Sequence, residues 1–380
     1  MDALAKISKV GLMRNTPPGM KPGSDIANMA VLGYDPAKYY TGRSPLEAAS
    51  LGIKLTPADI SFRCNLVTLS DEPDFGDKRM LDYCGGDIST AEADVLIKFL
   101  ADEFASSGIE FHTGNSYRHC LVWRGLAGEG FVKEDLFGRF TPPHDFSDKA
   151  ATAAVLKMGE GRASGELLRI MERSFELLSN HPVNLRRAAE GKRPANSMWI
   201  WGEGLAASLP NFREKNGVSG GIISAVDLLK GIGQTAGMET PEVEGATGYL
   251  DTNFEGKRDA ALQLFKNGTD YVYLHIEAPD ECGHRGEYEN KVRAVELIDE
   301  RILGPLLKNM EGEHMRVLIC PDHPTPLATK THSSDPVPFL FYDTDVAAEG
   351  VDCFCESSAK GTGLYVGDGF SFIDEMISQN

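Results

Sequence analysis

Two apolar runs, Tyr271-Val-Tyr-Leu-His-Ile-Glu277 and Arg316-Val-Leu-Ile-Cys320, constrain this chain most, because each is followed within a few residues by acidic and imidazole side chains. Similar runs occur at Ser197-Met-Trp-Ile-Trp201, Gly221-Ile-Ile-Ser-Ala-Val226 and Pro338-Phe-Leu-Phe-Tyr342. Strands that are apolar throughout and separated by helices predict an α/β fold with a mostly parallel sheet covered on both faces. The clearest intervening helix is predicted over Asn290–Met310, with Val295, Ile298, Ile302 and Leu306 on one face. In such sheets ligands bind beyond the strand C-terminal ends. Asp280 and Asp322 fall there.

The residues after those runs are Asp280 and His284, then the pair Asp322-His323, then His332. Asp280-x-x-x-His284 places two ligands one turn apart on a helix, or around a glycine turn if the segment is not helical. Each motif alone is common, and an Asp beside a His is often a solvated loop. Together, about fifty residues hold a mixed carboxylate and imidazole set, which suits a pair of divalent metals better than a cysteine-rich structural zinc site. Two metals about 4 Å apart stabilise the attacking and leaving oxygens of an in-line phosphoryl displacement. Far upstream, Pro22-Gly-Ser-Asp25 opens a helical pattern that runs to Gly33, so Ser24 sits where free backbone N–H groups favour an anion. Taken alone it reads as a plain N-cap; beside the ligand set it reads as a nucleophile that carries a covalent phosphoryl group.

At 380 residues the chain predicts two domains. Texture changes divide it into a metal-binding domain at 1–60 plus 195–380 and an inserted smaller α/β domain at 61–194. Within the insertion, Asn65–Ser70 reads as a strand, Phe111–Trp123 carries another interrupted by the polar Gly114–His119, and Ser89 to about Ser106 and Gly165–Leu178 read as helices. The formal charge of −18 argues against a nucleic-acid partner and counts weakly against an anionic membrane surface. A small anion still fits, since a cluster of arginine, lysine and metal reverses the field inside one cleft. No apolar stretch approaches the roughly eighteen residues of a membrane span, and Met1 leads into Asp-Ala-Leu-Ala-Lys-Ile without a signal peptide. The seven cysteines include no Cys-x-x-Cys pair, and Cys353 and Cys355 are too isolated to suggest zinc; reduced thiols in a cytoplasm are expected.

The ordered segments Pro22–Pro36, Tyr39–Pro45, Phe62-Arg-Cys-Asn65, Ser116-Tyr-Arg-His119, Pro142-Pro-His-Asp145, Lys192–Asn196, Ile223–Gly233 and Thr252–Lys257, with both metal segments, span the chain. In these it resembles the cofactor-independent phosphoglycerate mutases of the archaeal-type branch, within the alkaline phosphatase superfamily. The resemblance implies an alkaline-phosphatase-like core with two divalent ions, manganese by family habit and zinc, cobalt, iron or magnesium as further options, and no organic cofactor. It implies Ser24 as the phosphorylated nucleophile, Asp280, His284 and His332 as ligands of one metal, and Asp322 and His323 with the Ser24 oxygen as ligands of the other. It assigns Arg118, His119 and Arg193 to the glycerate carboxylate and hydroxyls, Asp145 to proton carriage, and Lys257 to the phosphate. The implied reaction interconverts 2- and 3-phosphoglycerate in glycolysis and gluconeogenesis. Water must be excluded at the phosphoserine stage, so closure of the inserted domain is expected, with hinges near 60 and 195.

One departure stands out. The family begins with a strand ending in Asp-Gly, whose aspartate reaches the second metal; Met1-Asp-Ala-Leu-Ala-Lys-Ile here matches the helix that follows it, so that strand and aspartate are expected to be absent. Three alternatives therefore stay open: a homoserine kinase-like phosphotransferase, a metal-dependent phosphomonoesterase, and an inactive metabolite-binding relative. Against nucleotide chemistry of the usual kind, the chain has no Gly-x-x-x-x-Gly-Lys-Ser/Thr loop. Oligomeric state is not legible.

Overall fold

The computed structural model describes residues 1–105, 108–128 and 130–378. They fall into two units, Met1–Tyr40 with Ser208–Asn380, and Thr41–Ala207. The strands in chain order are β1 (Lys9–Met13), β2 (Ile60–Leu69), β3 (Met80–Asp82), β4 (Ile109–His112), β5 (Arg118–Trp123), β6 (Ser197–Leu205), β7 (Gly220–Ile223), β8 (Tyr271–Leu274), β9 (Arg316–Ile319), β10 (Val337–Asp343) and β11 (Tyr365–Val366).

In the first unit β11, β1, β10 and β9 form one sheet in that order, and β7 pairs with β8 in another. The mostly parallel sheet read from the sequence is corrected here: β1–β10 and β10–β9 are antiparallel, and among the described residues the parallel ladders are the short β1–β11 and β7–β8 pairs. An apolar run reports coverage of both faces and carries no information on strand direction. Nor is every run fully buried, since β9 is half-buried along its length and β8 beyond Tyr271, each pairing on one side only. β1 lies in a stretch with no strand reading, because five residues interrupted by Gly11 are too short a signal. That glycine is required by close approach, since a Cβ there would stand 2.7 Å from the Leu364 carbonyl oxygen.

The helix Ser24–Val31 buries Ile26, Ala27, Met29, Ala30 and Val31. It ends at Gly33, whose left-handed φ of +83° lets Gly33 and Tyr34 N–H groups return to the Ala30 and Met29 carbonyls at 2.8 and 3.0 Å. Val31 joins Met13, Phe339, Phe341 and Phe372 in the core beneath it. The long helix read at 290–310 is instead Tyr288–Leu297, a π-helical turn Ile298–Leu303, and Gly304–Asn309. The wider turn shifts the buried face to Ala294, Leu297, Ile302 and Leu303 and leaves Val295 42% exposed.

In the second unit β2 is flanked by β5 and β6, with β4 beyond β5 and β3 at the end of β2, all antiparallel. The helix Thr90–Glu103, capped by Ser89, and the helix Arg162–Ser179 cover its core face; the end read at Ser106 lies outside the described residues. Leu167, Leu168, Met171, Ser174 and Leu178 recur at helical spacing on the buried stripe. The units divide at Tyr40/Thr41 and Ala207/Ser208, whereas texture placed the boundaries at 60/61 and 194/195. β6 pairs with β2 from Ile60 to Val67, and Ser44 Oγ donates to the Ser61 carbonyl at 2.8 Å, so neither segment separates from the sheet.

Arg187, 2% exposed, fixes the turn that leads into the Thr90–Glu103 helix. It donates to the carbonyls of Arg193 at 3.0 Å, Gly85 at 2.9 Å and Gly86 at 2.9 Å, and to Glu92 at 2.8 Å. Arg187→Met should destabilise the second unit by about 3–5 kcal/mol, because three carbonyls and a carboxylate lose a buried partner. Arg186→Met, at the exposed partner of the same Glu92, should cost under about 1 kcal/mol. Tryptophan fluorescence in a urea titration measures both, since Trp123, Trp199 and Trp201 all lie in this unit.

Candidate active site

Ser24 is the first helical residue, with Gly23 as the N-cap. Its side chain therefore does not cap the helix, and Oγ lies 3.0 Å from His323 Nε2. His323, 5% exposed, also stands 3.3 Å from Asp322 Oδ2. Asp280 and His284 fall one turn apart on the helix Ala278–Arg285, as the helical alternative required, with Pro279 in its first turn and left-handed Gly286 as its stop. Asp280 Oδ2 is 3.3 Å from His284 Nε2 and Asp280 Oδ1 is 3.5 Å from His332 Nε2. The His284 and His332 Nε2 atoms are 2.9 Å apart, and the His323 and His332 rings lie 3.9 Å apart by centroid.

These groups converge as a cation's ligands do. Donor atoms of Asp280, His323 and His332 all lie within 4.8 Å of one another. His284 Nδ1 is 3.0 Å from the Lys330 carbonyl, an acceptor, so Nδ1 carries the proton and the Nε2 lone pair faces the cluster. His332 hydrogen-bonds the Pro22 carbonyl in the loop before Ser24. The donor set fits a divalent metal, with Asp280, His284, His323, His332 and Asp322 as the residues that could hold it. Burial opposes ionisation of Asp280, but hydrogen bonds from His332 and Thr325 prevail and hold it well below the usual carboxylate range. Burial also pushes His323 down, whereas at His332 the Asp280 carboxylate outweighs burial and raises it.

A supporting layer escaped sequence reasoning. Tyr273 donates its hydroxyl to Asn28 Oδ1 at 2.6 Å, and Asn28 Nδ2 donates to Asp322 Oδ2 at 2.8 Å and to the Ser24 carbonyl at 2.8 Å. Asn15 Nδ2 donates to the Asp322 carbonyl at 2.9 Å, and Thr325 hydrogen-bonds Asp280. Asn28 was visible as a polar residue on an otherwise buried helix face, four positions after Ser24; Tyr273 had no such signal. Lys257 is fully buried, and burial lowers its ammonium to about 8 against the opposing pull of Glu277. Nearby, His275 Nδ1 is 3.1 Å from Ser224 Oγ, and burial pushes that imidazole to about 4.

The remaining candidate residues lie in the second unit. Arg118 is exposed at the start of β5, its guanidinium 4.4 Å from the Tyr117 ring centroid. His119, next along the strand, points to the opposite face with Phe62, Cys64 and Leu121. Its Nδ1 accepts from Gly114 N–H at 3.1 Å, its Nε2 is buried without a partner among the described residues, and burial lowers it to about 4. Arg118 and His119 thus do not converge. Asp145 is exposed on the 3-10 turn Pro143–Phe146, 3.7 Å from His144, and Arg193 donates to the Leu81 carbonyl at 2.7 Å and to Asp82 at 3.2 Å. Sharing the Arg118 face is Arg63, which sequence reasoning did not single out: it bonds Glu47 at 2.8 Å and lies 4.0 Å over Trp201.

A helix-borne serine set against imidazole, beside a cation-type donor cluster on a mixed α/β fold, is the class of site on hand. The family model described as 2,3-bisphosphoglycerate-independent phosphoglycerate mutase matches residues 5–184. A 2,3-bisphosphoglycerate-independent phosphoglycerate mutase of Methanosarcina acetivorans is 47% identical over 363 residues, covering 95% of this chain and 87% of that protein. A Pyrococcus horikoshii protein of solved structure superposes with a TM-score of 0.78 at 28% identity, over 100% of this chain and 90% of that one. The cofactor-independent phosphoglycerate mutase of Thermoplasma acidophilum gives 0.61 at 26%, over 99% and 89%. The chain belongs to the 2,3-bisphosphoglycerate-independent phosphoglycerate mutase family, and with it to the isomerases. No helix among the described residues is long and apolar enough to cross a membrane.

Asn28→Ala should lower divalent-metal affinity roughly 10–100-fold, as loss of an orienting hydrogen bond to a ligand carboxylate does elsewhere. Calorimetric titration with Mn²⁺ measures it, and an unchanged affinity would remove Asp322 from the ligand set.

Proposed function

We propose that this chain interconverts 2- and 3-phosphoglycerate through a phosphoserine at Ser24, in the cytoplasm and within an alkaline-phosphatase-like core. The observation that carries the reading is the placement of Ser24 Oγ 3.0 Å from His323 Nε2 at the edge of the carboxylate and imidazole cluster. Asp280, His284 and His332 would hold one divalent ion and Asp322 and His323 a second, manganese first among the candidates. Bound there, such ions supply the positive charge that phosphoryl transfer demands.

The chain's own residues do the rest. Ser24 Oγ displaces the glycerate oxygen from phosphorus, so the phosphoryl group passes to the serine and then back to the other glycerate hydroxyl. Asn28 fixes both the Ser24 carbonyl and Asp322, which locks the serine's turn of helix to the ligand loop. The Lys257 ammonium, buried between the Thr247 carbonyl at 3.5 Å and the charge of Glu277, binds a phosphoryl oxygen. Arg118 and Arg193 take the glycerate carboxylate, and Asp145, exposed and next to His144, carries the hydroxyl proton.

Ser24→Ala should reduce coupled-assay mutase activity by roughly 10³-fold or more, and mass spectrometry of quenched enzyme should find phosphate on the Ser24 peptide. Full activity in the alanine variant would end the covalent mechanism; phosphate release from phosphoglycerate without isomerisation would favour the phosphomonoesterase alternative. Because burial disfavours its charge, Lys257 is an ammonium below about pH 8 and neutral above. The kcat/KM of the free enzyme should therefore fall as pH rises through about 8, and Lys257→Arg should lift that limb to higher pH.

A further inference from the structure

One buried side chain of the second unit has hydrogen-bonding capacity that its surroundings leave unused. Arg63, on β2, is 9% exposed. Among the described residues only its Nε has a hydrogen-bond partner, Glu47 Oε2 at 2.8 Å, and both Nη groups have none. A guanidinium carries five N–H donors, and burying such groups unpaired is costly. Arg187 of the same unit shows what a purely structural arginine does here: all three of its nitrogens are bonded, to three carbonyls and Glu92. Arg63 instead keeps its end-on fork open, the edge that donates in parallel to both oxygens of a carboxylate.

Neighbours fix the direction of that fork. Glu47 takes Arg63 Nε on one oxygen and Arg43 Nε on the other, each at 2.8 Å. The guanidinium lies 4.0 Å over the Trp201 ring, and Trp201 Nε1 donates to Asn65 Oδ1 at 3.0 Å, which holds the ring in turn. Gly202, at a left-handed φ of +64°, makes room for the arginine stem, since a Cβ there would stand 3.1 Å from Arg63 Cδ. Arg118 opposes Asn65 in the β2–β5 ladder and so shares the Arg63 face. Three guanidinium groups against Glu47 and the exposed Asp145 leave the face positive. Burial lowers Arg63 to about 10 against the pull of Glu47, so it stays charged near neutral pH.

We propose that Arg63 is a specificity residue for the glycerate carboxylate, receiving it with both Nη groups beside Arg118. The inference rests on the phosphoglycerate reading above. Arg193 has Nη1 committed to the Leu81 carbonyl and Asp82, and Arg118 is exposed against Tyr117. Arg63 is the one of the three whose fork is both unoccupied and held before substrate arrives. A ligand without a carboxylate leaves that buried fork unpaired, which is how a polar site rejects an analogue.

The test uses the full chain carrying Ser24→Ala, loaded with Mn²⁺, so that no phosphoryl transfer occurs. Calorimetry compares 3-phosphoglycerate with glycerol 3-phosphate, in which a hydroxymethyl group replaces the carboxylate. We expect 3-phosphoglycerate to bind roughly 10–100-fold tighter, the range for a charged bidentate pair. Adding Arg63→Met should remove most of that preference and leave glycerol 3-phosphate binding nearly unchanged. Arg63→Lys, which keeps the charge over Trp201 but loses the fork, should remove part of it and covers the case in which methionine disturbs the fold. An equal loss for both ligands in the lysine variant, or an unchanged preference in either variant, would overturn the proposal. Mutase chemistry is not read by this titration, so a chain inactive as a mutase can still show the Arg63-dependent preference. A parent chain that binds neither ligand ends both readings.

Discussion

The constraint on which the first unit depends is the cost of gathering two carboxylates and three imidazoles around one point. Separately, Asp280 or His323 would be expensive to bury. Together, each Asp280 oxygen faces an imidazole nitrogen, and Asn28, Thr325 and the Lys330 and Pro22 carbonyls occupy the remaining positions. This demand explains why residues from three distant stretches are fixed to one another: the Ser24 helix through Asn28, the Asp280 helix through Thr325, and the Asp322 loop through Asn15. Any one of these ties, if cut, leaves a polar group that the others cannot satisfy.

How much of this was legible depended on whether chemistry or geometry was being read. Asp280, His284, Asp322, His323 and His332 stood out as acidic and imidazole groups following apolar runs, Ser24 only through its helix-start position beside that set, and the structure brings all six together. Strand direction did not stand out, since Val337–Asp343 has the same apolar texture between antiparallel neighbours as it would between parallel ones. β1 was hidden because Gly11 removes the very side chain that would have marked a strand, for the sake of the contact with Leu364. The π turn at Ile298–Leu303 defeats a 3.6-residue count by construction.

The separation of Arg118 from His119 shows the limit of carrying adjacent residues over as one motif. Adjacent positions on a strand face opposite ways. Placing both on β5 commits one to the Phe62–Leu121 core whenever the other meets solvent. At that position His119 holds the Gly114 turn through Nδ1, and its Nε2 has no partner among the described residues. The same alternation brings Arg63 and Asn65 of β2 onto the Arg118 face, a grouping that a linear reading of Phe62-Arg-Cys-Asn65 conceals.

The two units also carry charge in different ways within a chain of formal charge −18. In the second unit the positive charge is permanent. Arg63 is held against Glu47 and stacked over Trp201, with Arg118 on the same face against the Tyr117 ring, so aromatic and carboxylate neighbours fix the direction of these guanidinium groups. In the first unit the cluster beside Ser24 is built of carboxylates and imidazoles, and the buried ammonium of Lys257 is weakened by its own burial. Asp280 and Asp322 give that cluster two carboxylates, and negative charge of that kind repels an anion. The donor set suits a cation, whereas the guanidinium face carries its charge as folded.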